Sequence, residues 1–92
     1  MNTFFIRVEL HAGVYADYIN LHTAMQNAGI GRHLVSGSIN YQLPTAEYVF
    51  VGNTNTAALL QSVRGIVTSS THKTAAILVV QAMNWSTDGL QS

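Results

Sequence analysis

YQLPTAEYVF, residues 41–50, is the stretch whose reading decides the fold. It has the aromatic and β-branched content of a strand, but Pro44 cannot donate to a β-ladder. Proline therefore belongs at the entry of the strand or at a bulge, and the regular strand is expected from Thr45 to Val51. Ala46, Tyr48 and Phe50 then face a core, and Glu47 faces away. Gly52 and Asn53 turn the chain behind it.

Working outward, TFFIRVELH at 3–11 alternates with period two. Phe4, Ile6, Val8 and Leu10 share one face; Phe5, Arg7, Glu9 and His11 share the other. Gly13 breaks this pattern. Over 15–28, Tyr15, Tyr18, Leu21, Met25 and Ala28 fall at helical spacing, and Gly29 suits the C-terminal cap. Asp17 in the first turn complements the helix dipole. RHLVS at 32–36 is a short strand, followed by a turn through Gly37, Ser38 and Asn40. Asn55 or Thr54 caps a second helix, 55–68, with Leu59, Leu60, Val63, Ile66 and Val67 on its buried side. Residues 69–72, SSTH, read as a return loop, and 73–85, KTAAILVVQAMNW, as the last strand. Residues 86–92 are expected to be a frayed tail.

The element order is therefore strand, helix, strand, strand, helix, strand. This predicts a single α+β domain over 1–92 with the ferredoxin-like βαββαβ arrangement. Right-handed crossovers give an antiparallel sheet of order 4-1-3-2, with two helices on one face and the other face open.

Composition narrows the function. Hydrophobic residues make up 48% of the 92-residue chain and charged residues 9%, with zero formal net charge. The charged share of an ordinary domain is about 25%. This speaks against a large basic footprint for nucleic acid, and weak charge repulsion favours self-association. There are no cysteines, so neither a disulfide framework nor a thiolate metal site arises. No basic start leads into an apolar run, so no signal peptide is read, and Ala75 to Val80 is too short to span a bilayer. A cytoplasmic domain without cofactor, metal or membrane partner is the expectation.

The open face would carry Phe5, Arg7 and Glu9 from the first strand, and Thr45, Glu47, Val49 and Val51 from the third. Ala75, Ile77, Val79, Gln81 and Met83 would come from the fourth. Glu47 lies across from Arg7 and can pair with it. Phe5, Val49, Val51, Ile77 and Val79 would form an apolar patch suited to a homodimer interface. RNA-recognition motifs stack bases on aromatics of both central strands, whereas here the third strand offers valines.

One rim of the sheet would collect Glu9, His11, Tyr15, Asp17, Tyr41, His72 and Lys73. His11 with His72 or Lys73 could deprotonate a ribose 2′-hydroxyl and protonate the leaving 5′-oxygen. Arg7 or Lys73 could stabilise the charged phosphorane, and Arg7, Tyr41 and Lys73 could hold RNA. His33 would lie at the opposite rim, and His22 on the helix surface. No spacing of His, Asp and Glu matches a metal signature, and no nucleophile elbow, phosphate loop or dinucleotide fingerprint is present.

FFIRVELH at 4–11, ADYINLHTAMQNAG at 16–29, YQLPTAEYVFVG at 41–52 and ILVVQAMNW at 77–85 resemble a group of small bacterial and mobile-element proteins related to the GhoS endoribonuclease antitoxin of type V toxin–antitoxin systems. The resemblance covers about 80 residues by order of elements. It implies a ferredoxin-like fold similar to the small CRISPR-associated adaptation nuclease subunits, and metal-independent cleavage of a toxin messenger RNA. Glu9 would stand where the CRISPR-type relatives place an acidic residue near the end of the first strand, with Arg7 and His11 in the same region. The competing expectation is a non-enzymatic dimeric interaction protein of a phage or plasmid that binds and masks a host protein.

Overall fold

The computed structural model describes residues 1–36 and 39–86; the side chains of residues 35, 36 and 39–41 are not among what it describes. In chain order the elements are β1 (Asn2–Leu10), α1 (Tyr15–Asn27), β2 (His33–Ser36), β3 (Ile39–Gln42), β4 (Glu47–Gly52), α2 (Thr56–Thr71) and β5 (Ala75–Ala82). β1 is central in a three-stranded antiparallel sheet of order β4-β1-β5. β2 and β3 pair with each other in a separate two-stranded sheet. The class is α+β, compatible with a ferredoxin-like fold.

The expected fourth strand of the main sheet is not paired as a ladder. Gly31 alone meets the outer edge of β4, exchanging two hydrogen bonds with Val49 at 2.9 and 2.8 Å. The chain then leaves into the β2–β3 hairpin, so the first part of YQLPTAEYVF belongs to β3 rather than to a turn. Pro44 divides the stretch. Its carbonyl accepts from the Glu47 N–H at 2.9 Å, which turns the chain through Thr45 and Ala46. The regular strand therefore begins at Glu47, two residues later than its composition indicates. Leu43 is buried beside the proline and donates its N–H to the Arg32 carbonyl. The turn expected at Gly37 and Ser38 lies outside the described residues, as does the tail from residue 87.

Both helices cover one face of the main sheet. Phe4, Ile6, Val8 and Leu10 of β1 and Tyr48 of β4 pack with Leu21 and Met25 of α1 and with Leu59, Val63 and Val67 of α2. α1 ends as its sequence indicates. Gly29 takes φ 81°, and the N–H groups of Gly29 and Ile30 return to the carbonyls of Gln26 and Met25. Asn55 caps α2, its side chain accepting from the Ala58 N–H at 2.9 Å.

α2 runs on through Ser69, Ser70 and Thr71, which composition reads as loop. The hydroxyls of Thr68, Ser70 and Thr71 each donate to the carbonyl four residues back. Side chains that otherwise compete with a helix are thus satisfied within it. Thr71 adds a buried residue to the Leu59, Val63, Val67 stripe. His72 closes the helix at φ 57°, and Ala12, just after β1, takes φ 56°.

Candidate functional site

The rim where β1 ends and β5 begins is assembled largely as the topology requires. His11 follows β1. Its N–H donates to the Thr74 carbonyl at 2.9 Å, and its Nδ1 lies 2.8 Å from Thr74 Oγ1. The imidazole is exposed, and Nε2 has no protein partner among the described residues. Lys73 reaches across to α1, with Nζ 3.2 Å from Asp17 Oδ2. Asp17 also accepts from the Val14 N–H at 3.0 Å. That backbone bond, and then the lysine, hold its carboxyl below the usual range. Lys73 is therefore a neutralised cation. His72 is exposed at the left-handed cap, and no described hydrogen bond joins it to His11. The side chain of Tyr41 lies outside the described residues.

Glu9 is less available for chemistry than its position indicates. Arg7 donates to Glu9 Oε1 through Nε at 3.2 Å, and also through Nη2. Its Nη1 lies 3.0 Å from Glu47 Oε1. One guanidinium thus serves two carboxylates, and Glu9, then Glu47, strengthens its hold on its proton. The cross-strand Arg7–Glu47 pair expected from sequence is present, with Arg7 and Glu47 as direct partners in the β1–β4 register. The cluster carries a net charge of −1, so Arg7 offers little attraction to a phosphate.

The open face needs one correction. Val8 and Ile6 pair with Ile77 and Val79, which turns both β5 residues toward the helices, where they pack against the core. The outward residues are Ala76, Leu78 and Val80, opposite Glu9, Arg7 and Phe5. A one-residue difference in register exchanges the two faces. Val49 and Val51 lie on the open face as expected, with Val51 54% exposed. Leu78 and Val80 are 59% and 44% exposed. Phe5, Arg7, Glu47, Leu78 and Val80 line a shallow groove of about 180 Å³. Trp85, beyond the end of β5, folds over Phe5 in an edge-to-face contact with centroids 5.2 Å apart.

A second polar cluster has no counterpart in the sequence reading. His22, expected on the helix surface, is half-buried, with Nδ1 2.7 Å from Tyr48 Oη. Burial, and then the Arg32 charge, lowers its pKa; burial raises that of Tyr48. Apolar spacing reveals Tyr48 as core but not that its hydroxyl needs a partner, and α1 supplies one 26 residues away in sequence.

Among the described residues, no group of three or more His, Asp or Glu side chains could hold a metal ion, and no helix is long and apolar enough to cross a membrane. No protein-family model and no curated protein matches the chain.

Proposed function

We propose that the chain is a GhoS-like, RNA-binding antitoxin of the cytoplasm that cleaves RNA without a metal, with His11 as the proton-transfer group. The proposal extends to the fold, with the Gly31 bridge marking the second-strand position of a ferredoxin-like 4-1-3-2 order. The observation that carries the reading is the anchoring of His11. Thr74 holds the ring through Nδ1, and the solvent-facing Nε2 is left to act. An imidazole can both take and return a proton, which suits general acid–base work near neutrality.

The ribose 2′-oxygen attacks phosphorus while its proton passes to Nε2. The bond from phosphorus to the 5′-oxygen breaks, and a proton returns to that oxygen, giving a cyclic phosphate and a free 5′-hydroxyl. Glu9 and Lys73 enter only by leaving Arg7 and Asp17. With so few free cations, RNA binding should depend weakly on salt. The test is a panel of labelled RNAs incubated with and without chelator. Cleavage that survives chelation and disappears in His11→Ala supports the reading. Absence of cleavage, with RNA binding unchanged in His11→Ala, ends it.

A second reading is favoured by the open face: a non-enzymatic dimeric interaction protein of a phage or plasmid that masks a host protein. Val51, Leu78 and Val80 expose contiguous apolar area beside a neutral-to-acidic cluster. Light scattering on the wild type and on Leu78→Lys tests it; a monomer in both removes the homodimer.

A further inference from the structure

Beyond the outer edge of β4 lies a cleft of about 260 Å³, lined by His22, Gln26, Ile30, Gly31, Arg32 and His33. Its polar lining offers hydrogen-bond donors, and among the described residues no carboxylate lines it. Glu9 and Glu47 are bound to Arg7, and Asp17 to Lys73, so Arg32 has no acidic partner among the described residues. Nη2 of Arg32 donates to the Leu43 carbonyl at 2.9 Å, which fixes the guanidinium, while its buried Nε–H has no acceptor among the described residues. A fixed cation at the wall of a cleft, without a carboxylate partner among the described residues, favours an anion there.

His22 adds a donor whose direction follows from Tyr48. The Tyr48 side chain is fully buried, and its hydroxyl has the His22 ring as its partner. A protonated phenol in that place donates to Nδ1, so a neutral His22 carries its hydrogen on Nε2. Nε2 has no protein partner among the described residues. The Gln26 amide and the His33 ring add two further donor groups at the same cleft. The floor is open at Gly31, where an added Cβ would meet nothing within 4 Å.

We propose that this cleft binds an oxyanion of the phosphate class, held by Arg32 and by the His22, His33 and Gln26 side chains. A planar guanidinium matches two oxygens of such a group, and the two imidazoles complete the set as N–H donors. The site is separate from the His11 rim and does not depend on cleavage there. Free phosphate and the phosphate of a nucleotide chain share this chemistry.

The experiment follows the imidazole nitrogens of all four histidines by NMR during titration with inorganic phosphate, against chloride at matched ionic strength. Saturable shifts at His22 and His33, with His11 and His72 unmoved, are expected. Arg32→Gln should weaken binding about tenfold or more, as loss of a charge-assisted contact does. Gly31→Val, which fills the floor without altering a charge, should weaken it as well, so a fold defect in one variant leaves the other to decide. Parallel titrations with a ribodinucleotide, with and without a 5′-phosphate, separate the sources. Dependence on the terminal group identifies a monoester, and equal binding identifies the chain phosphodiester. Equal shifts at all four histidines, no saturable shift, or undiminished affinity in a folded variant would overturn the proposal.

Discussion

The two faces of the central sheet are built from the same three strands and obey different rules. On the helix side, Phe4, Ile6, Val8 and Tyr48 are at most 1% exposed, and the hydroxyl of Tyr48 is matched by His22. On the open side, Val51, Leu78 and Val80 remain in water, and three ionised groups sit among them. The covered face owes its energy to packing that tolerates no void. The open face contributes little to folding and is free to serve contact with something else. A strand alternating by single residues lets one chain satisfy both demands at once.

The largest expected effect comes from removing a ring on the covered face. Phe4→Ala should destabilise by about 3–5 kcal/mol, enough to leave a small domain partly unfolded. Phe5→Ala, one residue away and half-buried under Trp85, should cost much less; equal urea midpoints for the two would break the contrast. Tyr48→Phe comes next. It strips His22 of its partner and should cost about 1–2 kcal/mol by the same measurement.

Acidification tests the covered face in another way. The pKa of His22 is lowered by burial, so the unfolded chain binds its proton first. Stability should therefore fall as pH drops below about 6.5, the ordinary histidine value. His22→Gln should flatten that part of the melting-temperature profile. Asp17 has a lowered carboxyl pKa, and its contribution is present above about pH 3.9 and lost as pH falls toward the folded value. Acid unfolding should thus show two separate stages. The smallest effect belongs to the open side. Arg7→Ala should change stability by less than about 1 kcal/mol, since the pairs it breaks are half in water.

What could be read in advance follows the same division. β1 was legible because its apolar and polar residues alternate from Ile6 to Leu10. β5 was not, because Ala75 to Val80 are apolar on both faces, and only pairing with β1 decides which residues turn inward. The outward-facing residues of β5 are therefore Leu78 and Val80, where Ile77 and Val79 were expected. The rim was legible through topology, which brings the end of β1 near the start of β5. That Lys73 would be spent on Asp17, and Arg7 on two carboxylates, depends on side-chain reach that no spacing encodes. The cleft around Arg32 was invisible, since it requires His22 to lean inward on Tyr48 and the hairpin to begin where β4 meets Gly31.

Ala12 and His72 carry a further consequence. Both hold a left-handed backbone without being glycine, and both lie in the connections that frame the rim. Each such residue stores on the order of 1–2 kcal/mol of steric strain. Glycine at either place would relax the chain while loosening the seat of His11 and Thr74, so tautness at this end of the sheet is gained against the economy of the fold as a whole.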